Sequence, residues 1–156
     1  MSTFNDNTSR AFTDLLEISR TGAKGYQEAA EGVSNPELKS ELSRLSQQRA
    51  KFVAELEQHA QALGVSAHDS TIESVATDAA AAVHRGWINL KSAITGQDDS
   101  AILGECETGD AVALQAYETA LKAQGLPQEA QSVIQKQHGE VLQAKNWVTQ
   151  QKGLSH

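Results

Sequence analysis

Residues 33–64 read VSNPELKSELSRLSQQRAKFVAELEQHAQALG. Within them Ser34-Asn35-Pro36 stops one helix and starts the next. Asn35 can cap a helix through its side-chain oxygen. Pro36 suits the first helical position, where its missing N–H has no intrahelical partner to lose. Downstream, Leu38, Leu42, Leu45, Arg49, Phe52, Leu56, His59 and Leu63 recur at spacings of three and four. That period puts them on one face of a helix over 36–63, and Gly64 ends it. Upstream, Phe12, Leu15, Leu16, Ser19, Gly22, Ala23, Tyr26, Ala30 and Val33 form a second stripe, predicting a helix over 8–33. Gly22 and Gly25 weaken that helix by about 1 kcal/mol each relative to Ala, and they leave room for a close neighbour. With only about two residues between them, the two helices should be antiparallel neighbours.

The same grammar continues outward. Residues 65–70 read as a loop, and Ser70 with Glu73 resembles a capping box. A third helix is predicted over 70–95, with Ile72, Val75, Ala79, Val83, Trp87, Leu90 and Ile94 on one stripe and Gly96 as its stop. Asp98 or Asp99 caps a helix over 98–124, whose stripe is Ile102 or Leu103, Cys106, Asp110, Ala113, Leu114, Tyr117, Ala120 and Leu121. Gly125 ends it. Pro127 starts a helix over 127–152 that buries Ala130, Ile134, Gln137, Val141, Ala144 and Val148, with Trp147 beside them. No stretch alternates apolar and polar residues as a strand would. The expectation is a single all-α domain: an antiparallel four-helix bundle of two hairpins joined by a long helical crossover. That is the ferritin-like topology. A five-helix up-and-down array is the alternative arrangement of the same elements.

Three strings carry a resemblance. They are Gly25-Tyr26-Gln27-Glu28-Ala29-Ala30-Glu31; His84-Arg85-Gly86-Trp87 with Leu90-Lys91; and Ala101-Ile102-Leu103-Gly104-Glu105-Cys106-Glu107-Thr108-Gly109-Asp110 leading into Ala116-Tyr117-Glu118. Together they resemble a mainly proteobacterial family of ferritin-like four-helix-bundle proteins classed as a domain of unknown function. The resemblance runs from about Phe12 to Trp147. It implies a ferritin-like bundle and brings no established reaction.

Thirteen Lys and Arg stand against twenty Asp and Glu in 156 residues, a net charge of −7. That balance works against unselective nucleic-acid binding, which needs clustered cations. Between Val65 and Gln115 eight acids (Asp69, Glu73, Asp78, Asp98, Asp99, Glu105, Glu107, Asp110) face two bases, Arg85 and Lys91. They read as a solvated face and as acids favoured at helix N-termini; the functional alternative is a weak cation-attracting surface or a docking site for a basic partner. The N-terminus has no basic stretch followed by an apolar one, so no secretory signal is read. The longest apolar run, Ala79 to Val83, falls far short of the ~20 residues that span a bilayer. A soluble cytoplasmic protein is expected, with no membrane partner. The single cysteine excludes an internal disulfide framework.

The ferritin-like topology raises the question of a di-iron or di-manganese carboxylate centre. Such a centre takes Glu from two helices and Glu-x-x-His from the other two. No Glu in this chain has a His three residues later. Glu55 and His59 come closest at i, i+4, while Glu28 with Glu31 and Glu107 with Asp110 lack the imidazole. By helical phase Glu28, Glu31 and Glu140 lie off the apolar stripes. The reading is no metal ligand set and no cofactor, with iron or manganese as the alternative. The seams instead hold Arg49, Asp110, Tyr26 and Gln137, which predicts one buried polar layer, a guanidinium matching a carboxylate. Tyr117 joins it. Burying such a pair costs several kcal/mol per ion before attraction and hydrogen bonds offset it.

Cys106 reads as an inert core thiol, and His59 as a packing residue rather than a ligand. For His84, Arg85 and Trp87 two readings stand: Trp87 anchors the crossover, or the three form a partner-binding patch. Trp147 packs within the monomer or in a dimer interface. Phosphate loops, nucleophile elbows, zinc spacings and dinucleotide fingerprints are missing from the sequence. The function expected is a non-enzymatic bundle acting through self-association, as a homodimer, or through a protein partner. Analogy with the family it resembles adds a role in bacterial stress physiology. The alternatives are an iron-oxidising or iron-storing protein, and a small-ligand binder with a cavity beside Tyr26 or Trp87.

Overall fold

The computed structural model describes residues 3–64, 84–123 and 125–154, and all regular structure in them is helical. The helices are α1 (Thr3–Gly32), α2 (Pro36–Leu63), α3 (Leu90–Thr95), α4 (Asp99–Leu121) and α5 (Gln128–Leu154). Asn35 opens α2 from an extended backbone, φ −75° and ψ 122°, and its Oδ1 accepts from the amides of Glu37 at 2.8 Å and Leu38 at 3.3 Å. Gly64 closes α2 at φ 74°, a left-handed conformation that costs glycine nothing sterically. The Lys39 ammonium donates to the Ala30 carbonyl at 2.9 Å, partnering an orphan acceptor at the end of α1.

Helices α1 and α2 pack along their length, and so do α4 and α5; α1 also meets α4, and α2 meets α5. Each long helix thus has two long neighbours around one core. That core takes Phe12, Leu15 and Leu16 from α1, Leu42, Leu45 and Leu56 from α2, Ile102 and Leu103 from α4, and Ile134 from α5. Each such side chain stabilises the fold by about 1.5–3 kcal/mol relative to exposure. The pairs are stitched at the turns. Asp98 caps α4, accepting from the amide of Ala101 at 3.2 Å. Asp99 instead reaches the α1–α2 turn, accepting from the Ser34 amide at 2.9 Å, the Ser34 hydroxyl at 3.0 Å and the Asn35 amide at 3.2 Å.

The segment before α4 differs from its expected form. A continuous helix over 70–95 is interrupted: residues 84–86 are helical, Trp87 to Asn89 form a turn, and only Leu90–Thr95 is helix again. The amides of Trp87, Ile88 and Leu90 donate to the carbonyls three residues back, at 3.2, 3.3 and 3.1 Å. Such i, i+3 bonds tighten and bend the chain. The bend seats the Trp87 ring between Gly25 and Gly109 rather than along an outer helix face. Ile72, Val75, Ala79, Val83 and the Ser70–Glu73 capping box lie outside the described residues. Among the described residues no helix is long and apolar enough to cross a membrane.

Candidate functional site

Three long helices each send one polar side chain into the centre: Tyr26 from α1, Arg49 from α2 and Asp110 from α4. Arg49 and Asp110 are only 2% and 1% exposed, and Tyr26 is fully buried. The guanidinium straddles the carboxylate, Nη1 donating to Oδ1 at 2.7 Å and Nη2 to Oδ2 at 3.2 Å. The Tyr26 hydroxyl donates to Oδ2 at 2.5 Å. Arg49 Nε donates to Gln48 Oε1 at 3.1 Å. The Arg49 carbon Cζ lies 5.0 Å from the centre of the Tyr26 ring and 5.9 Å from that of Phe52, so both aromatic faces contribute cation–π attraction. Bidentate geometry and full partnering are what make a buried ion pair tolerable.

The electrostatics follow from burial. Loss of water works against the charge of Arg49, but the charge and hydrogen bonds of Asp110, together with the two nearby tyrosines, outweigh it and hold the guanidinium protonated above its ordinary range. Burial, and next the charge of Asp110, push the Tyr26 phenol well up. The same two causes raise the Cys106 thiol, one turn before Asp110, so it stays protonated and unreactive at neutral pH.

Gln137 does not join this cluster. Its Oε1 accepts from the Tyr117 hydroxyl at 2.7 Å, and its Nε2 donates to Glu55 Oε1 at 3.1 Å and to the Phe52 carbonyl at 3.4 Å. Ser19 lies 3.4 Å from the Tyr117 hydroxyl. The single polar layer expected from sequence is therefore two: Tyr26, Arg49 and Asp110 in one, Tyr117 and Gln137 in the other. Asp110 and Tyr117 share a face of α4 but stand two turns apart, about 10 Å along the axis. Helical phase reports the face and says nothing of the level.

The His84, Arg85 and Trp87 patch is also divided. His84 and Arg85 are exposed, whereas Trp87 is 8% exposed and meets Tyr26 edge-on at 5.3 Å and 71°. Trp87 is thus packed inward, leaving His84 and Arg85 as the exposed members of the patch. A Cβ on Gly25 would stand 2.6 Å from the Trp87 ring, and Gly109 leaves less room still. The room that Gly25 is expected to leave for a close neighbour is taken by the Trp87 ring, and Gly109, not singled out from sequence, forms the other wall. The signal for this slot is that each glycine directly precedes a member of the cluster: Gly25-Tyr26 and Gly109-Asp110. Trp147 is partly buried, packed against the core of its own chain.

The donor set at the centre does not suit an iron or manganese carboxylate site. Both oxygens of Asp110 are engaged, and the guanidinium brings positive charge to the position a cation would need. Glu107 points away, accepting from Lys152 at 2.7 Å and Thr149 at 2.5 Å, and these bonds lower its carboxyl below the usual range. Glu55 and His59 line an open groove of about 550 Å³ with Glu129 and Lys136. Among the described residues no group of three or more His, Cys, Asp and Glu side chains could hold a metal ion.

The family described as "Domain of unknown function (DUF2383)" matches residues 7–123. No curated protein matches the chain.

Proposed function

Since this chain belongs to the DUF2383 family, we propose its role from its interior: it is a non-enzymatic, ferritin-like helical bundle that acts through association. In this reading the two hairpins are joined by a helical crossover. A charge-neutral cluster sits in the core, where metal-binding bundles of that topology gather carboxylates. The observation that carries it is the bidentate Arg49–Asp110 pair, closed by Tyr26. Among the described residues the buried reactive groups, phenols, thiol, carboxylate and guanidinium, are paired or held in their unreactive protonation state. The iron or manganese alternative is supported by topology alone and has the chemistry of the donor set against it.

Association is supported by apolar side chains left outside: Ile88 is 70% and Leu154 73% exposed, and Leu142 is also open to solvent. A homodimer is the simplest form, with a protein partner as the second. The bacterial cytoplasm suits a chain whose one cysteine is free and buried. A stress-related role rests on family-level analogy.

The test is metal analysis of protein purified without chelator, together with its mass in solution by sedimentation. We expect far less than one iron or manganese per chain, and a dimer mass that falls on dilution. A stoichiometric metal, lost in Asp110→Ala or Glu107→Ala, would overturn the interior reading. A monomer at high concentration would overturn self-association.

A further inference from the structure

The Trp87 ring sits in a slot whose walls belong to other elements. Gly25 of α1 forms one side and Gly109 of α4 the other, both bare backbone. Gly86 lets the two segments close up: a Cβ there would stand 3.1 Å from the Gly109 Cα. The floor is the Tyr26 ring, steeply inclined to the indole, and behind Tyr26 lie Asp110 and Arg49. The bonds that build the cluster join α1, α2 and α4, and none of them uses the 84–95 strap. Nor do the contacts of α1 with α2, or of α4 with α5, run through that strap.

The strap itself is lightly fastened. Among the described residues its inward apolar anchors are Trp87, Leu90, Ala93 and Ile94, the last lying against Gly32, and the Asn89 amide donates to Glu105 at 3.2 Å. Its outward side chains, His84, Arg85 and Ile88, face solvent. Segments with few buried apolar anchors open at lower free energy than the core they cover.

We propose that Trp87 is a detachable plug: residues 84–95 open as a unit, withdraw the indole from between α1 and α4, and admit water and small solutes to Tyr26 and Asp110 while the long helices stay packed. The slot is built by the hairpins and so outlasts the departure of the ring. An ordinary core tryptophan, by contrast, would come free only when its surroundings unfold.

Amide hydrogen exchange on the full chain at low urea concentrations tests this. The Trp87 and Leu90 amides, bonded to the His84 and Trp87 carbonyls, should exchange through an opening at least roughly tenfold more populated than that of the Ile102 and Cys106 amides. Their exchange should depend only weakly on urea. Equal populations with equal urea dependence for strap and α4 would overturn the proposal. A second arm uses Trp87→Gly with free indole as the probe. We expect a helical protein whose Tyr26 phenol titrates closer to its ordinary value, and saturating indole to return it to the wild-type position. Unfolding of the variant, or a Tyr26 titration unmoved by losing the ring, would equally sink it. Neither outcome bears on metal content or mass, so the association reading stands or falls separately.

Discussion

Removing one partner of the central ion pair should cost far more than removing both. In Arg49→Met the Asp110 carboxylate stays 1% exposed and loses the Nη1 and Nη2 bonds at 2.7 and 3.2 Å, keeping only the Tyr26 hydroxyl. An uncompensated buried charge of this kind costs about 3–5 kcal/mol. For a chain of this length each kcal/mol moves the melting temperature by about 2–4 °C, so a fall of roughly 10 °C is expected. Asp110→Leu alone should cost a similar amount, because it strands the guanidinium. The triple variant Arg49→Met, Asp110→Leu, Tyr26→Phe removes every polar partner together. Apolar replacements of buried ion pairs come out neutral or up to about 4 kcal/mol stabilising, and the bulk added by Leu offsets part of that gain. We therefore expect the triple variant within about 2 kcal/mol of the parent, on the same principles. Urea unfolding followed by circular dichroism gives all the corners of the cycle. Single-variant costs that simply add would refute the reasoning, since independent groups in water show no coupling.

High pH should destabilise the fold through the only two tyrosines of the chain. Burial, foremost, raises both Tyr26 and Tyr117 in the folded state, so this stabilisation is complete below the unfolded phenol value near 10 and is lost as pH climbs above it, by about 1.4 kcal/mol per pH unit per tyrosine. Tyr117, which lies away from the 84–95 strap, should ionise only together with unfolding; a folded protein whose Tyr117 titrates near pH 10 on this same scale would contradict it. At low pH the sign reverses for Glu107, lowered chiefly by its bond to Lys152 and then by that to Thr149. Its contribution is present above the unfolded carboxyl value and lost as pH falls through the folded one. For a half-exposed pair this is about 0.2–1 kcal/mol, and Glu107→Gln should flatten that part of the acid-side stability curve. Asn35→Ala removes the acceptor of the Glu37 and Leu38 amides and should cost about 1 kcal/mol by chemical unfolding; an unchanged midpoint would mean the cap is idle.

Much of the fold is written in local spacing. Asn35-Pro36, Gly64 and the stripes of three and four residues mark the long helices because capping and amphipathicity are short-range properties. Arg49, Asp110 and Tyr26 are readable as inward-facing for the same reason. Which of them meet is a different kind of question. Gln137 shares their inward phase yet bonds Tyr117 and Glu55, because pairing across helices depends on axial level, set by hairpin register. Trp87 fits a helical stripe on paper. The bend that turns it inward depends on bare backbone at Gly25 and Gly109, which lie 62 and 22 residues from Trp87 in the chain and meet it only through tertiary folding. Asp99 looks like a helix cap and instead ties the α1–α2 turn, a choice that only the packing of the two hairpins decides.

A closed guanidinium–carboxylate–phenol cluster occupies the middle of the bundle, with both Asp110 oxygens engaged. Nuclear magnetic resonance of the Arg49 side chain tests it most directly, with manganous ion added as a paramagnetic probe. The account predicts resolved, slowly exchanging Nη protons at neutral pH, unbroadened at equimolar manganese. Averaged Nη protons, or selective broadening at Arg49 and Asp110 by equimolar manganese, would contradict it.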